Sequence, residues 1–296
     1  MIIVKLRGGL GNQLFEYSFG RAIQEKTNQP LILDISDYKE SQPQREYELG
    51  HFRLGKNVTT DDTGQYNKTY KGGDNLITHI EKRFFSNFIF KKYQKNGIYI
   101  WGHGSYKNVC IDYSKKTLMI NGYWQSKSYF SSVTDQLAEE IVCKDKMSLS
   151  SEQIAEKIAA SNSVGIHIRR TDFLSNPKYF YSCSADYYKK AINVMEKKVS
   201  QPTFFVFSDD INGVKSWFSS ISNNVVFIEG KRKTYEDFCL FSQCKNLIIA
   251  NSTFSWWPAF LKKDPSSFII APSKWWRADR DPASLIADKW FLIDPE

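Results

Sequence analysis

The stretch VGIHIRRTDF, residues 164–173, decides how this chain is read. It begins as a buried parallel strand, with Val164, Ile166 and Ile168 on alternate positions, and ends in two adjacent arginines, Arg169 and Arg170. A strand tip gains nothing from a pair of cations, and burying one without partners costs several kcal/mol or more. An anion is therefore expected at this strand end. Alternation sends His167 and Arg169 to one face and Arg170 to the other. Arg169, at the mouth, suits a bidentate grip on phosphate that the point charge of a lysine cannot reproduce. Arg170 is expected to be anchored, with Asp172 as its partner. The competing reading is a salt-bridged strand end carrying a structural histidine.

Outward from this stretch, strands and helices alternate. Helix EQIAEKIAAS precedes it, and strands TFFVFS, NVVFIEG, NLIIA and FIIAP follow, separated by helical segments. That rhythm predicts an α/β, Rossmann-like domain over residues 151–296 with its ligand at the carboxyl ends of the strands. Residues 1–150 form the other expected domain. It opens with strand IIVKL, loop RGGLGNQ, helix LFEYSFGRAIQEK and strand PLILD, and the polar connector KDKMSLSSEQ closes it. Between about residues 40 and 115 the sequence is irregular and rich in Tyr, Lys, Asn and Gly.

Three other stretches belong with the arginines. In NLIIANSTFSWWPAFL a strand runs into Asn251, Ser252 and Thr253, all preferred cap residues, and then into a helix. A helix start after a strand is an anion site through its free N–H groups and dipole, and the hydroxyls of Ser252, Thr253 and Ser255 add donors. A simple cap is the plainer alternative, and Trp256 and Trp257 read as core. In VFSDDINGV, Ser208, Asp209 and Asp210 end a strand, where carboxylates can cap a helix, hold a metal or accept from a base or ribose. In RGGLGNQLFEY, Gly9 and Gly11 resemble a dinucleotide fingerprint and Asp34 ends the next strand. The third glycine position is Leu14, however, so the fingerprint is incomplete. The glycines need only mean close backbone approach to a ligand, with Asn12 and Gln13 beside it. The string DRD, Asp279 to Asp281, reads as a solvated loop rather than a metal pair.

Composition narrows the class. With 296 residues and 42% hydrophobic content the chain can bury a large core, and a net charge of +8 favours phosphates, nucleotides or an anionic membrane surface. The basic residues lie in short clusters without zinc-finger or RNA-binding signatures, which argues against nucleic acid. Five cysteines without CxxC spacing suggest a reduced compartment and no zinc. No apolar run approaches the ~18 residues of a membrane span, so a cytoplasmic protein is expected, with peripheral association at the inner membrane surface left open.

Taken in order, these stretches resemble a known family. HIRRTD is similar to the H-x-R-R-x-D motif of the α-1,2-fucosyltransferases, GGLGNQLFEY to their N-terminal glycine-rich motif, and CKNLIIANSTFSWWPAFL to their third block. NGYWQSKSYF and SDD match in kind, and the lack of an animal-type membrane anchor suits a bacterial member. The resemblance implies a GT-B fold of two facing Rossmann-like domains, 1–150 on the acceptor side and 151–296 binding GDP-fucose. It implies inverting transfer of L-fucose from GDP-fucose to a galactose 2-hydroxyl of an oligosaccharide or lipid-linked glycan, in surface polysaccharide or O-antigen synthesis, with no essential metal. Arg169 would face the growing charge on the β-phosphate. His167 and the Asp209/Asp210 pair would face the nucleoside, Ser252, Thr253, Phe254 and Ser255 would line the diphosphate, and Asn12 and Gln13 would close the cleft. No motif identifies a general base; Glu16, one helical turn after Asn12, is the candidate, and late proton loss to water the alternative. Two other classes stay open: a nicotinamide-dependent oxidoreductase using GGLGNQ and Asp34, and a tryptophan-rich glycan-binding module.

Overall fold

The computed structural model describes residues 1–40, 45–67, 94–101, 109–171, 182–221, 224–276 and 282–296. Asp172, the DRD string and most of the irregular stretch after residue 67 lie outside them. The chain divides into two compact units, Met1–Val142 and Cys143–Glu296.

The first unit holds a sheet in the order β3-β2-β1-β5-β4, built from β1 (Ile2–Lys5), β2 (Leu31–Asp34), β3 (Val58–Asp61), β4 (Ile98–Trp101) and β5 (Leu118–Gly122). Every pairing is parallel. Helix α1 (Leu10–Thr27) crosses from β1 to β2 and is buried over most of its length, polar Gln13, Glu16 and Ser18 included, with Leu14, Phe15 and Tyr17 wholly buried. It stops at Asn28, whose left-handed φ of 52° lets its N–H donate to the Gln24 carbonyl. Its backbone sits directly on the sheet: a Cβ at Gly20 would lie 2.6 Å from Val4 Cγ2. Strands β3 and β4, four residues each, are elements the sequence does not announce, because VTTD and IYIW carry too little periodicity to stand out. Helices α2 (Asp37–Glu40) and α3 (Thr134–Glu140) complete the described helices of the unit.

The second unit contains helices α4 (Leu149–Ala159), α5 (Ala185–Lys198), α6 (Ile211–Val214), α7 (Thr234–Gln243) and α8 (Thr253–Phe260). Its sheet runs β11-β10-β9-β6-β7-β8, again parallel throughout. The strands are β6 (Asn162–Ile168), β7 (Pro202–Ser208), β8 (Asn224–Phe227), β9 (Asn246–Ile248), β10 (Ile269–Pro272) and β11 (Phe291–Ile293). The sequence predicts five of the six; β11 is a three-residue edge strand with Phe291 and Leu292 exposed, so no buried pattern betrays it. Strand β6 lies inside the sheet and is buried from Ser163 to Ile168. The helical segment expected between β7 and β8 is α6 followed by a 3-10 turn, Lys215–Phe218. Trp256 and Trp257 are wholly buried.

One pairing of side chains is not announced by the sequence. Cys143 and Cys239, 96 residues apart, form a disulfide with their Cα atoms 6.3 Å apart. No local spacing could signal this pair. The connector is drawn against α7, where the Ser148 N–H donates to the Glu236 carboxylate, and this brings Cys143 beside Cys239.

Candidate active site

In both sheets the strand order reverses beside the first strand of the unit, between β6 and β9 in the second and between β1 and β5 in the first. The carboxyl ends of strands flanking such a switch point form the natural ligand crevice of an open parallel sheet. In the second unit those ends carry Arg169 and Arg170 on one side and the Asn251–Ser255 stretch on the other.

The two arginines are held by the two aspartates at the end of neighbouring β7. Arg169 Nη1 lies 3.2 Å from Asp209 Oδ2, and Arg170 Nε lies 3.1 Å from Asp210 Oδ2. The Arg170 guanidinium also stacks over Trp217 at 5.0 Å from the ring centroid, a cation–π contact. Arg170 is thus anchored by Asp210 and Trp217, whereas the partner expected from sequence, Asp172, lies outside the described residues. Asp209 Oδ1 accepts from the Arg170 N–H at 2.9 Å, and its Oδ2 accepts from the Thr171 N–H at 3.2 Å and the Thr171 hydroxyl at 2.5 Å. Burial alone would raise the Asp209 pKa, but the Thr171 hydroxyl, Arg169 and the two backbone donors outweigh it and hold the carboxyl below its ordinary value. Asp210 Oδ1 caps α6 by accepting from the Gly213 N–H at 3.0 Å, and the Ser208 hydroxyl accepts from the Asp210 N–H at 3.0 Å.

His167 lies beneath this pair, 6% exposed, its ring 5.0 Å from that of Phe254 and 5.9 Å from that of Phe241. Desolvation, with the Arg169 charge second and Asp209 opposing, pushes its pKa down to about 3. It is therefore a neutral imidazole, and its Nδ1 is buried without a hydrogen-bond partner.

The Phe254 contact ties β6 to the start of α8. Ser252 caps that helix, its hydroxyl accepting from the Phe254 N–H at 3.3 Å, and Thr253 and Phe254 remain half-buried at the mouth. Asn251, expected as a cap residue at the binding site, and Ser255, expected along the diphosphate, are turned inward. The Asn251 amide donates to the Trp275 carbonyl at 3.0 Å and accepts from Cys183 Sγ at 3.6 Å. Ser255 is wholly buried, its hydroxyl donating to the Ala250 carbonyl at 3.3 Å. Both serve the turn that aims the helix start, because a strand ending in a buried switch leaves carbonyls that need local partners.

In the first unit the glycine-rich loop follows β1. Gly8 has a φ of +72°, and a Cβ there would lie 2.7 Å from Asn12 Nδ2, so glycine is required. Gly9, extended, supplies the N-cap position of α1, and Gly11 is buried in its first turn. Gln13 and Glu16, expected at the cleft, are both buried in the structure. Gln13 is wholly buried, donating to the carbonyls of Gly8 and Glu46 and accepting from the Glu48 N–H, so its amide is spent within the loop. Glu16 is also wholly buried and accepts from the Arg7 N–H at 2.8 Å. Burial drives its pKa well above the usual carboxylate range, and its Oε2 holds the loop at Arg7. Asp34 is wholly buried 3.4 Å from Lys5, which leaves it unable to read a ribose and removes the footing of the nicotinamide reading.

Around this switch point stand Arg7, Asn12, Tyr123 and Gln125, the last donating to Asn12 Oδ1 at 3.0 Å. Tyr123 sits between Gly122, at φ 148°, and Trp124, at φ 48°. A buried tryptophan in the left-handed region is a strained outlier of the kind found at functional sites. Tyr123 and Gln125 belong to the NGYWQSKSYF string that resembles the family, where the sequence assigns no role to either.

The profile described as Glycosyl transferase family 11 matches residues 75–293. The chain is 33% identical over 312 residues to an alpha-1,2-colitosyltransferase of Escherichia coli, covering 99% of each chain. It is 30% identical over 306 residues to the O-antigen biosynthesis glycosyltransferase WbnK of Escherichia coli, covering 97% of this chain and 99% of the relative. The chain therefore belongs to glycosyl transferase family 11 and is a glycosyltransferase. Among solved structures, the NodZ alpha-1,6-fucosyltransferase of Bradyrhizobium, soaked with GDP-fucose, is similar with a TM-score of 0.55 at 14% identity, over 88% of this chain and 91% of that one. The fold is accordingly that of the GT-B fucosyltransferases.

Proposed function

We propose that this protein transfers L-fucose from GDP-β-L-fucose to the 2-hydroxyl of a galactose, with inversion, in the assembly of a surface polysaccharide. The observation that carries this is the meeting of Arg169 and the α8 start at the β6/β9 switch point. As the bond from fucose to phosphate breaks, the sugar takes on oxocarbenium character and negative charge grows on the β-phosphate. A guanidinium and the positive end of the α8 dipole, fixed in advance beside that oxygen, stabilise the transition state by several kcal/mol. In this reading Cys143–Glu296 binds the donor, and Arg7, Asn12, Tyr123 and Gln125 of the first unit meet the galactoside. The diphosphate is neutralised by protein donors, without an essential metal. The enzyme works in the cytoplasm, with any contact at the inner membrane peripheral.

A second donor has a specific observation in its favour, the 33% identity with a colitosyltransferase. Colitose is L-fucose without its 3-hydroxyl. A site with a buried polar group dedicated to that hydroxyl rejects the deoxy sugar by a factor on the order of 10⁴, whereas a site without one takes both. Purified enzyme assayed with GDP-fucose and GDP-colitose on a β-galactoside, with the product linkage read by NMR, decides the matter. Fucose joined α-1,2 with the higher kcat/KM is the expected result. Turnover of GDP-colitose alone would replace the donor, and no turnover of either would remove the reading.

A further inference from the structure

We infer that Asp209 is a positioning residue that aims Arg169 at the leaving diphosphate, rather than a reader of the nucleoside. The inference rests on the proposed role of Arg169. A carboxylate offers about four lone-pair sites, and Asp209 receives four donors from the end of β6: the N–H of Arg170, the N–H and hydroxyl of Thr171, and Arg169 Nη1. Three of the four fix the backbone turn that carries the two arginines, and the fourth fixes the guanidinium itself. Oδ2 takes three of these donors and Oδ1 one, so the carboxylate is oriented almost wholly by the end of β6.

The strand pairing explains why an aspartate stands here. Ile168 is in register with Ser208, so the residue after Ser208 lies beside the chain just past the end of β6, where backbone N–H groups have left the sheet ladder and need an acceptor. A short side chain with two acceptor oxygens satisfies the turn and reaches Arg169 together. Arg169 is thereby fixed on a rigid strand end before substrate arrives, so less rotamer entropy is lost on gripping phosphate. Asp210 performs the parallel task for Arg170.

Charge complicates the obvious variant, since Asp209→Asn removes a negative charge near a diphosphate and by Coulomb attraction alone would tighten it. Two charge-conserving variants avoid this. Asp209→Glu moves the carboxylate out by one methylene, and Thr171→Val deletes a single donor to it. Affinities for GDP and GMP, measured by calorimetry alongside melting temperatures, separate the roles, because the two ligands share the nucleoside and only GDP carries the β-phosphate. Expected for Asp209→Glu is about a tenfold loss for GDP with GMP unchanged, a fall in kcat with little change in acceptor KM, and no further loss when it is combined with Arg169→Lys. Thr171→Val should move in the same direction by a smaller factor. Equal losses for GDP and GMP would return Asp209 to the nucleoside, and unchanged GDP affinity in both variants would end the positioning role. If Arg169→Lys itself leaves the preference for GDP over GMP intact, the role of Arg169 fails instead.

Discussion

His167 is packed between two phenylalanine rings next to a cation, and that environment sets its chemistry before any ligand is considered. With its folded pKa pushed down to about 3 against about 6.5 when unfolded, the unfolded chain binds one proton more throughout that interval. The stability this neutral histidine allows is fully present above about pH 6.5 and is lost as pH falls toward 3, at about 1.4 kcal/mol per pH unit. Replacing His167 with Gln removes the titration, so the stability gap between wild type and variant should narrow at that rate from pH 6 to pH 4. Urea unfolding at a series of pH values checks it; a gap independent of pH would mean that His167 is not held neutral. The sequence showed the histidine beside the arginines and left its role open, because desolvation by Phe241 and Phe254 comes from α7 and α8, some 70 to 90 residues away.

At the scale of elements, the site depends on how closely α7 lies on β6. A Cβ on Gly165 would meet Phe241 Cε2 at 2.9 Å and Cys244 Sγ at 3.1 Å, so the strand surface is flat there to admit the helix. Gly165→Val should therefore overpack this layer and cost about 1–3 kcal/mol in denaturant unfolding, and Phe241→Leu in the same chain should recover part of that. A neutral effect of Gly165→Val would show that α7 can move off the sheet freely. Strand β6 and helix α8 were legible from sequence because apolar alternation and cap residues are local signals. The β11 edge strand and the Cys143–Cys239 bridge were not, since each is created by a partner far away in the chain.

For the whole molecule, the proposed function turns on charge balance at a leaving diphosphate. In that proposal Arg169 and the α8 start of the second unit supply the positive charge. Transferase activity should therefore persist in excess EDTA, apart from a modest stimulation by magnesium through relief of product inhibition by GDP. Complete loss in EDTA, restored by manganese, would overturn this and direct attention to Asp279 and Asp281, which lie outside the described residues.

The sequence by itself determined the α/β class, the family resemblance and the strand ends at which polar residues collect, since hydrophobic period, cap chemistry and motif order are properties of neighbouring residues. Only the tertiary structure decided what each polar residue does there. Gln13, Glu16, Asn251 and Ser255 have the composition of ligand contacts, and in the structure each bonds to the turns at the strand ends. Asp209 and Asp210 read as one acidic pair and proved to hold one arginine each. A side chain's hydrogen bonds and burial depend on which strand ends lie side by side, and the order β9-β6-β7 is fixed by packing across the sheet, which no single stretch of the chain encodes.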